Sequence, residues 1–348
     1  MRVLHLPTAV GGNSWGLAQA EKKIGLDSTV LIDSNNWLNY KSDICLNLES
    51  KNYVYSLYKR LNFFLRIRKK YDVYHFNFGT SLIDTKFFGL YLLDLPFYRG
   101  KKIMTYNGGD ARQNLNRIKD KFIDKVYEIT TYRNERRNKA IRKRIIKVSK
   151  YVDHIFSVNP DLMNFLPKDK TTFLPYTIAK WSEIKYIPYK LNEKIRIVHA
   201  PTSREIKGSS YILKALDKLQ KKYPIVEVCI IENIAYDEAI ERYKYADLVI
   251  DQVLIGWYGA LAVEVMKMGK PLAVYIRKED LCFVPKQMAE DVLDTVININ
   301  SSNVENVLEQ YILNKNRLYE KSKKSVEYAH KWHDPVKIAK EVQKVYLA

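Results

Sequence analysis

Short apolar runs recur along the whole chain, and most are followed by a stretch whose apolar residues repeat at helical spacing. The runs at 3–6, 28–32, 73–76, 102–105, 154–158 and 172–174 are too short for ordinary helices, so they read as strands buried on both faces. Strands that alternate with helices pair in parallel, because a parallel neighbour needs a crossover connection. The alternation breaks at Pro175 and across Trp181 to Lys190, where Pro188 lies. It resumes at 196–200 and continues at 226–231, 248–250, 272–275 and 295–299. Two Rossmann-like halves, 1–180 and 181–330, joined near residue 180, are the simplest architecture of this α/β pattern. A chain of 348 residues is long enough to give each half its own core.

Composition removes several classes. A 47% hydrophobic content argues against a disordered half, and there is no repeat at solenoid periods. No apolar run approaches the roughly 20 residues that span a bilayer. Met1 to Leu6 reads as a first strand and not as a signal peptide. Cys45, Cys229 and Cys282 are scattered, with Cys229 in an apolar run as an expected core residue, so a reduced, cytoplasmic protein is expected. The net charge of +19 points to an anionic partner: a substrate, a membrane surface or nucleic acid. From Arg133 to Lys150 there are nine basic residues against one acid, with Ile141, Ile145, Val148 and Val152 at helical spacing. A second patch, 59–70, mixes cations with Phe and Leu. Such helices bind anionic bilayer surfaces, or they bury one face on a sheet and solvate the other. Nucleic acid is the weaker expectation, since the basic runs lack interleaved stacking aromatics.

In open α/β sheets ligands sit beyond the carboxyl ends of the strands, so the loops there carry the candidates. After the first strand come Gly11, Gly12 and Asn13, where bare backbone can approach a ligand. This is not the G-x-G-x-x-G fingerprint, which counts against a nicotinamide dehydrogenase. After 102–105 come Asn107, Gly108, Gly109 and Asp110, a polar turn that is either a ligand contact or an Asp110 helix cap. His75 and His199 lie in or at the end of strands as further candidates. The second half presents Arg204 and Lys207 just before a helix, where cations oppose the helix dipole and suit a diphosphate instead. Asp251 and Gln252 end the 248–250 strand and lead into Gly256-Trp257-Tyr258-Gly259-Ala260-Leu261. That turn opens a helix carrying Glu264 and closed by Gly269-Lys270-Pro271. Its N-terminal N–H groups form an anion site, and Glu264 can accept hydrogen bonds from sugar hydroxyls. No set of His, Cys, Asp and Glu has metal-ligand spacing.

Together these residues make the chain resemble the family 4-type retaining glycosyltransferases of the GT-B fold. The resemblance covers most of the chain and is strongest from Ile197 to Ile276. Gly11-Gly12 matches the family's Gly-Gly loop and Lys207-Gly208 its Lys-Gly donor motif. Tyr258-Gly259 and Glu264 match the latter part of its glutamate-seven-residues-glutamate motif. The resemblance implies two Rossmann-like domains facing a central cleft, with 331–348 as a helix crossing back to the first. It implies that Lys207 neutralises the donor diphosphate, that the amides from Gly259 to Leu261 cradle it, and that Glu264 holds the ribose. It also implies metal-independent chemistry and no resident cofactor. Three positions depart from the family. Its first glutamate falls on Gly256, its arginine on Thr202 with Arg204 two residues on, and its histidine on Asn107. The chain therefore reads as a divergent subgroup.

The expected function is sugar transfer from a nucleoside diphosphate-sugar to an acceptor hydroxyl with retention, in surface polysaccharide or glycolipid biosynthesis. Lys207, Arg204 and Asn107 are the expected catalytic residues. Gly11, Gly12, Asp251, Gln252 and the 257–261 turn with Glu264 serve the donor; Asn13, His75, Gly109 and Asp110 serve the acceptor. The acceptor is a glycan or a lipid-linked glycan, and a lipid-linked one places the protein at the inner membrane face. The rivals are a binding paralogue that has lost its chemistry, a nucleotide-sugar epimerase of the same fold, and a nucleic-acid-binding protein.

Overall fold

A computed structural model of the chain describes residues 1–35, 40–49, 52–84, 91–113 and 134–348. They form two compact units. One comprises Met1–Gln113, Glu135–Trp181 and Asp334–Ala348, and the other is built around Ser182–His333. The segment 331–348 is thus divided: its first three residues belong to the second unit and the rest to the first.

The first unit holds a sheet of β1 (Arg2–Leu6), β2 (Asp27–Ile32), β3 (Ile44–Cys45), β4 (Val73–Asn77), β5 (Lys101–Tyr106), β6 (His154–Ser157) and β7 (Thr171–Phe173). Its order is β3-β2-β1-β4-β5-β6-β7, and every pairing is parallel. Side chains alternate across the sheet. Leu4, Leu6, Tyr74 and Phe76 meet Phe64 and Ile67 of α2 (Tyr53–Ile67) and Ile141, Ile145 and Val148 of α3 (Glu135–Tyr151). Val3, Val73 and Ile103 share the other core with Leu17 and Ala20 of α1 (Asn13–Lys23) and with Ile338, Val342 and Tyr346 of the C-terminal helix Pro335–Leu347. The periodic isoleucines of the most basic stretch are therefore the buried stripe of α3. Arg133, at the head of that stretch, lies outside the described residues.

The second unit holds β8 (Ile195–His199), β9 (Val226–Ile230), β10 (Leu248–Ile250), β11 (Leu272–Val274) and β12 (Ile297–Asn298). Their order is β12-β11-β10-β8-β9, again all parallel. The helices are α4 (Arg204–Lys207), α5 (Ser209–Lys222), α6 (Tyr236–Tyr243), α7 (Ala260–Lys267), α8 (Lys286–Thr295), α9 (Val304–Leu313) and α10 (Asn316–Trp332). Ile212, Leu216 and Leu219 of α5 and Leu308 and Ile312 of α9 cover Ile195, Ile197, Leu248 and Ile250. Cys229, expected in the core, is only half-buried, because β9 is the sheet's edge.

Strand order reverses between β1 and β4 in one sheet and between β8 and β10 in the other. Ligands of such sheets bind outside the carboxyl ends of the strands at these switch points.

Candidate functional site

At the switch point of the second unit, the last residue of β8 is His199. Its Nδ1–H donates to the Ile250 carbonyl at 2.9 Å, so its Nε2 accepts from the Ser209 hydroxyl at 2.8 Å. Burial pushes its pKa down, and the neutral ring ties β8, β10 and α5 together. Ser203 then caps α4 by accepting the Ile206 N–H, and α4 ends on Lys207. Arg204 and Lys207 thus form a short helix of their own, directly before α5 as expected. The Lys207 carbonyl accepts the Val253 N–H at 3.2 Å, stitching the β8 loop to the β10 loop. Gly208 makes this approach possible. Its φ is +71°, and a Cβ there would stand 2.6 Å from Val253 Cγ2.

The Lys207 ammonium pairs with Asp251 Oδ1, the lysine side chain being 18% exposed and the aspartate 1%. Asp251 Oδ2 accepts the Gly259 N–H at 2.9 Å, at the N-cap of α7. A lysine cation and a helix-terminal N–H therefore converge on one buried carboxylate. The next N–H groups, of Ala260 and Leu261, lie in the first turn of α7, where an α-helix offers no backbone acceptor. Glu264, also buried, accepts from the Tyr236 hydroxyl at 2.7 Å.

The rest of this loop is held internally. Gln252 donates to the Trp257 and Tyr275 carbonyls at 2.8 and 3.0 Å and accepts from the Leu254 and Ile255 N–H groups. All four of its hydrogen-bonding positions are used, so it clamps the turn and has none left for the donor it was expected to bind. Trp257 and Tyr258 are buried and stack on each other, and the Tyr258 hydroxyl bonds Tyr328 and His333 at 2.8 Å each. Their side chains anchor the turn. Gly256, where the resembling family has a glutamate, has φ +82°, and a Cβ there would stand 2.7 Å from the Arg277 Cβ. The missing carboxylate is thus excluded by the local backbone and by Arg277. Arg204 is 59% exposed and grips Glu232 at 2.7 and 2.5 Å, so it does not join the Lys207–Asp251 pair.

The first unit's switch point is built from amides and hydroxyls. Gly11 and Gly12 close a single helical turn that leads into α1. Asn77, at the end of β4, donates to Ser14 Oγ at 2.5 Å and accepts from Asn107 Nδ2. Asn159 donates to the Asn107 carbonyl at 2.6 Å and to the Tyr176 hydroxyl at 2.8 Å. Asn107 Oδ1 is buried and has no hydrogen-bond partner among the described residues. Asp110 accepts the N–H groups of Asn107 and Gly108, and burial raises its pKa to about 6 against those bonds. It folds back on its own turn and caps no described helix. The Gly109 carbonyl accepts from Arg137.

Two acceptor-side candidates belong to the core. Asn13 Oδ1 accepts the Thr177 N–H at 3.0 Å and is buried. His75 is buried mid-strand, bonded to Tyr346 and Thr105 at 2.6 and 2.7 Å. The Tyr346 hydroxyl gives its proton to Glu21 at 2.9 Å, so it accepts from His75 Nδ1–H. Glu21 also bonds His5 at 2.7 Å and Ser28. His5, Glu21 and His75 are the described residues close enough together to surround an ion, a proximity that sequence spacing hid. Their ligand atoms are engaged in this network, which joins α1, β1, β4 and the C-terminal helix.

No protein-family model and no curated protein matches the chain. Solved structures do. Anabaena HepE, in complex with UDP and glucose, is 12% identical with a TM-score of 0.64, covering 99% of this chain and 98% of its own. Sucrose-phosphate synthase from Thermosynechococcus elongatus is 12% identical with a TM-score of 0.63 and the same coverage. A UDP-N-acetylglucosamine 2-epimerase from Listeria monocytogenes is 14% identical with a TM-score of 0.55, covering 98% and 94%. The fold is that of the GT-B proteins, two parallel-sheet α/β domains, an architecture shared by glycosyltransferases and epimerases.

Proposed function

We propose that the protein is a glycosyltransferase that moves a sugar from a nucleoside diphosphate-sugar to an acceptor hydroxyl with retention, as a divergent relative of family 4. The observation that carries this reading is the convergence of the Lys207 ammonium and the Gly259 N–H on Asp251, beside the first turn of α7. Groups that hold a carboxylate in this way are arranged for an anion, and the unsatisfied N–H groups of a helix start extend that arrangement. In this reading Lys207 and the Ala260 and Leu261 amides bind the diphosphate, while Glu264 takes the ribose. Asn107, whose Oδ1 is buried and unpartnered, accepts from a sugar hydroxyl.

The bond from the anomeric carbon to the diphosphate oxygen breaks as the bond to the acceptor oxygen forms. The departing phosphate oxygen takes the acceptor proton. Charge grows on the leaving diphosphate, and preorganised donors aimed there lower the barrier. No metal ion or resident cofactor has a role in this scheme. The acceptor is a glycan or lipid-linked glycan of surface polysaccharide or glycolipid synthesis, which places the reaction at the cytoplasmic face of a membrane.

An epimerase would convert the donor sugar with no acceptor. The test is a panel of nucleoside diphosphate-sugars incubated with the protein, with and without glycan acceptors. Acceptor-dependent release of nucleoside diphosphate with an α-configured product from an α-configured donor supports the proposal. Epimerised donor, or inversion in the product, overturns it.

A further inference from the structure

Two strongly basic helices flank the first unit's sheet, and the structure separates them. The apolar stripe of α3 is consumed by the core: Ile141, Ile145 and Val148 are all buried. Helix α2 has two apolar faces. One turns Phe64 and Ile67 into the core, with Leu57 and Phe63 packed partly against it. The other carries Val54, Tyr58, Leu61 and Leu65, which are 75%, 64%, 45% and 56% exposed. At about 3.6 residues per turn these four positions fall within roughly 60° of arc, a continuous stripe. Arg66, Lys69 and Lys70 are exposed at its C-terminal end, and no acidic residue occurs between Glu49 and Asp72.

We propose that this outer face of α2 docks the protein on an anionic lipid bilayer, with Leu61 and Leu65 entering the headgroup–acyl boundary and the three cations meeting acidic headgroups. An exposed apolar stripe beside cations is the pattern of an interfacial helix, and tyrosines such as Tyr58 suit that depth. A second copy of the chain is the poorer occupant. An isologous contact would set this acid-free cationic segment against itself in a protein of net charge +19. Among the described residues no helix is long and apolar enough to cross a membrane, so the attachment is peripheral. The proposal stands apart from the donor-site reading, because its residues lie on α2 and its readout is vesicle binding.

The experiment is flotation of the full chain with phosphatidylcholine vesicles, with and without phosphatidylglycerol. Binding is expected only with the anionic lipid. The variant Leu61→Ser/Leu65→Ser is expected to lose it. Arg66→Gln/Lys69→Gln/Lys70→Gln is expected to weaken it on the order of a hundredfold, about a kilocalorie per near-surface cation. The matched α3 variant Arg136→Gln/Lys139→Gln/Lys143→Gln, of equal charge, is expected to retain binding within about tenfold of the parent. Leu61→Trp supplies a signal that needs no loss of function: its emission should shift to the blue on adding anionic vesicles. The proposal is overturned if binding ignores phosphatidylglycerol, or if the α2 and α3 charge variants lose it equally. It is also overturned if Leu61→Trp emission does not move, or if sedimentation shows a dimer that the Leu61→Ser/Leu65→Ser variant dissolves.

Discussion

The two sheets reverse their strand order in the same manner, yet they place different chemistry at the reversal. In the second unit the β8/β10 switch point gathers Lys207, the buried Asp251 and the start of α7. In the first unit the β1/β4 switch point gathers Ser14, Asn77, Asn107, Asn159 and Tyr176. One set is charged and suited to an anion. The other is neutral and suited to hydroxyls, with amides that both donate and accept. Under the proposed function, the same topology would divide the labour, with the diphosphate at the second unit and sugar hydroxyls at the first.

The comparison breaks first if Lys207 is dispensable. Lys207→Ala should cut turnover by about 10² to 10³, the scale of losing one preorganised donor, in an assay of nucleoside diphosphate release. Asn77→Ala, in the neutral set, should leave affinity for a nucleoside diphosphate unchanged and raise the KM for acceptor.

Gly256→Glu restores the carboxylate of the resembling family and tests whether the charged site has room for it. The left-handed backbone and the contact 2.7 Å from the Arg277 Cβ argue that it does not. A loss of about 1–3 kcal/mol in denaturant unfolding is expected, with no gain in donor affinity. Leaving stability unchanged would show that the departure is tolerated rather than enforced.

A smaller effect separates the units by pH. Burial holds His199 below its ordinary pKa, so the folded chain keeps it neutral while the unfolded chain protonates near pH 6.5. Its contribution is present above that pH and is lost as pH falls. Asp110 has the opposite sign. Its carboxyl is raised to about 6, so its contribution is present below 3.8 and is lost as pH rises through 6. Unfolding of His199→Gln across pH 5 to 7 should show a shallower acid loss than the parent, and Asp110→Asn a steeper one.

Much of the architecture was readable because buried parallel strands announce themselves as short apolar runs. Among the described strands only β3 escaped, since Ile44–Cys45 is two residues long at an edge and carries no period. Lys207, Asp251 and the Gly259 turn were readable as chemistry at strand ends, but not as one cluster. Lys207 and Asp251 are 44 residues apart, and only the β8–β10 pairing brings them together. Asn77 gave no signal, because an amide ending a strand looks like any turn residue. His75 misled for the related reason that its partner Tyr346 lies 271 residues away, and no local pattern separates a buried histidine from a reactive one. The exposed stripe of α2 was hidden too, since a helix with two apolar faces reads like one with a single broad face.

The most direct test is calorimetric titration of UDP and UMP into the parent chain and into Lys207→Ala. The parent is expected to bind the diphosphate more tightly than the monophosphate, and Lys207→Ala to lose that preference. A Lys207→Ala variant that binds UDP as the parent does would contradict this expectation.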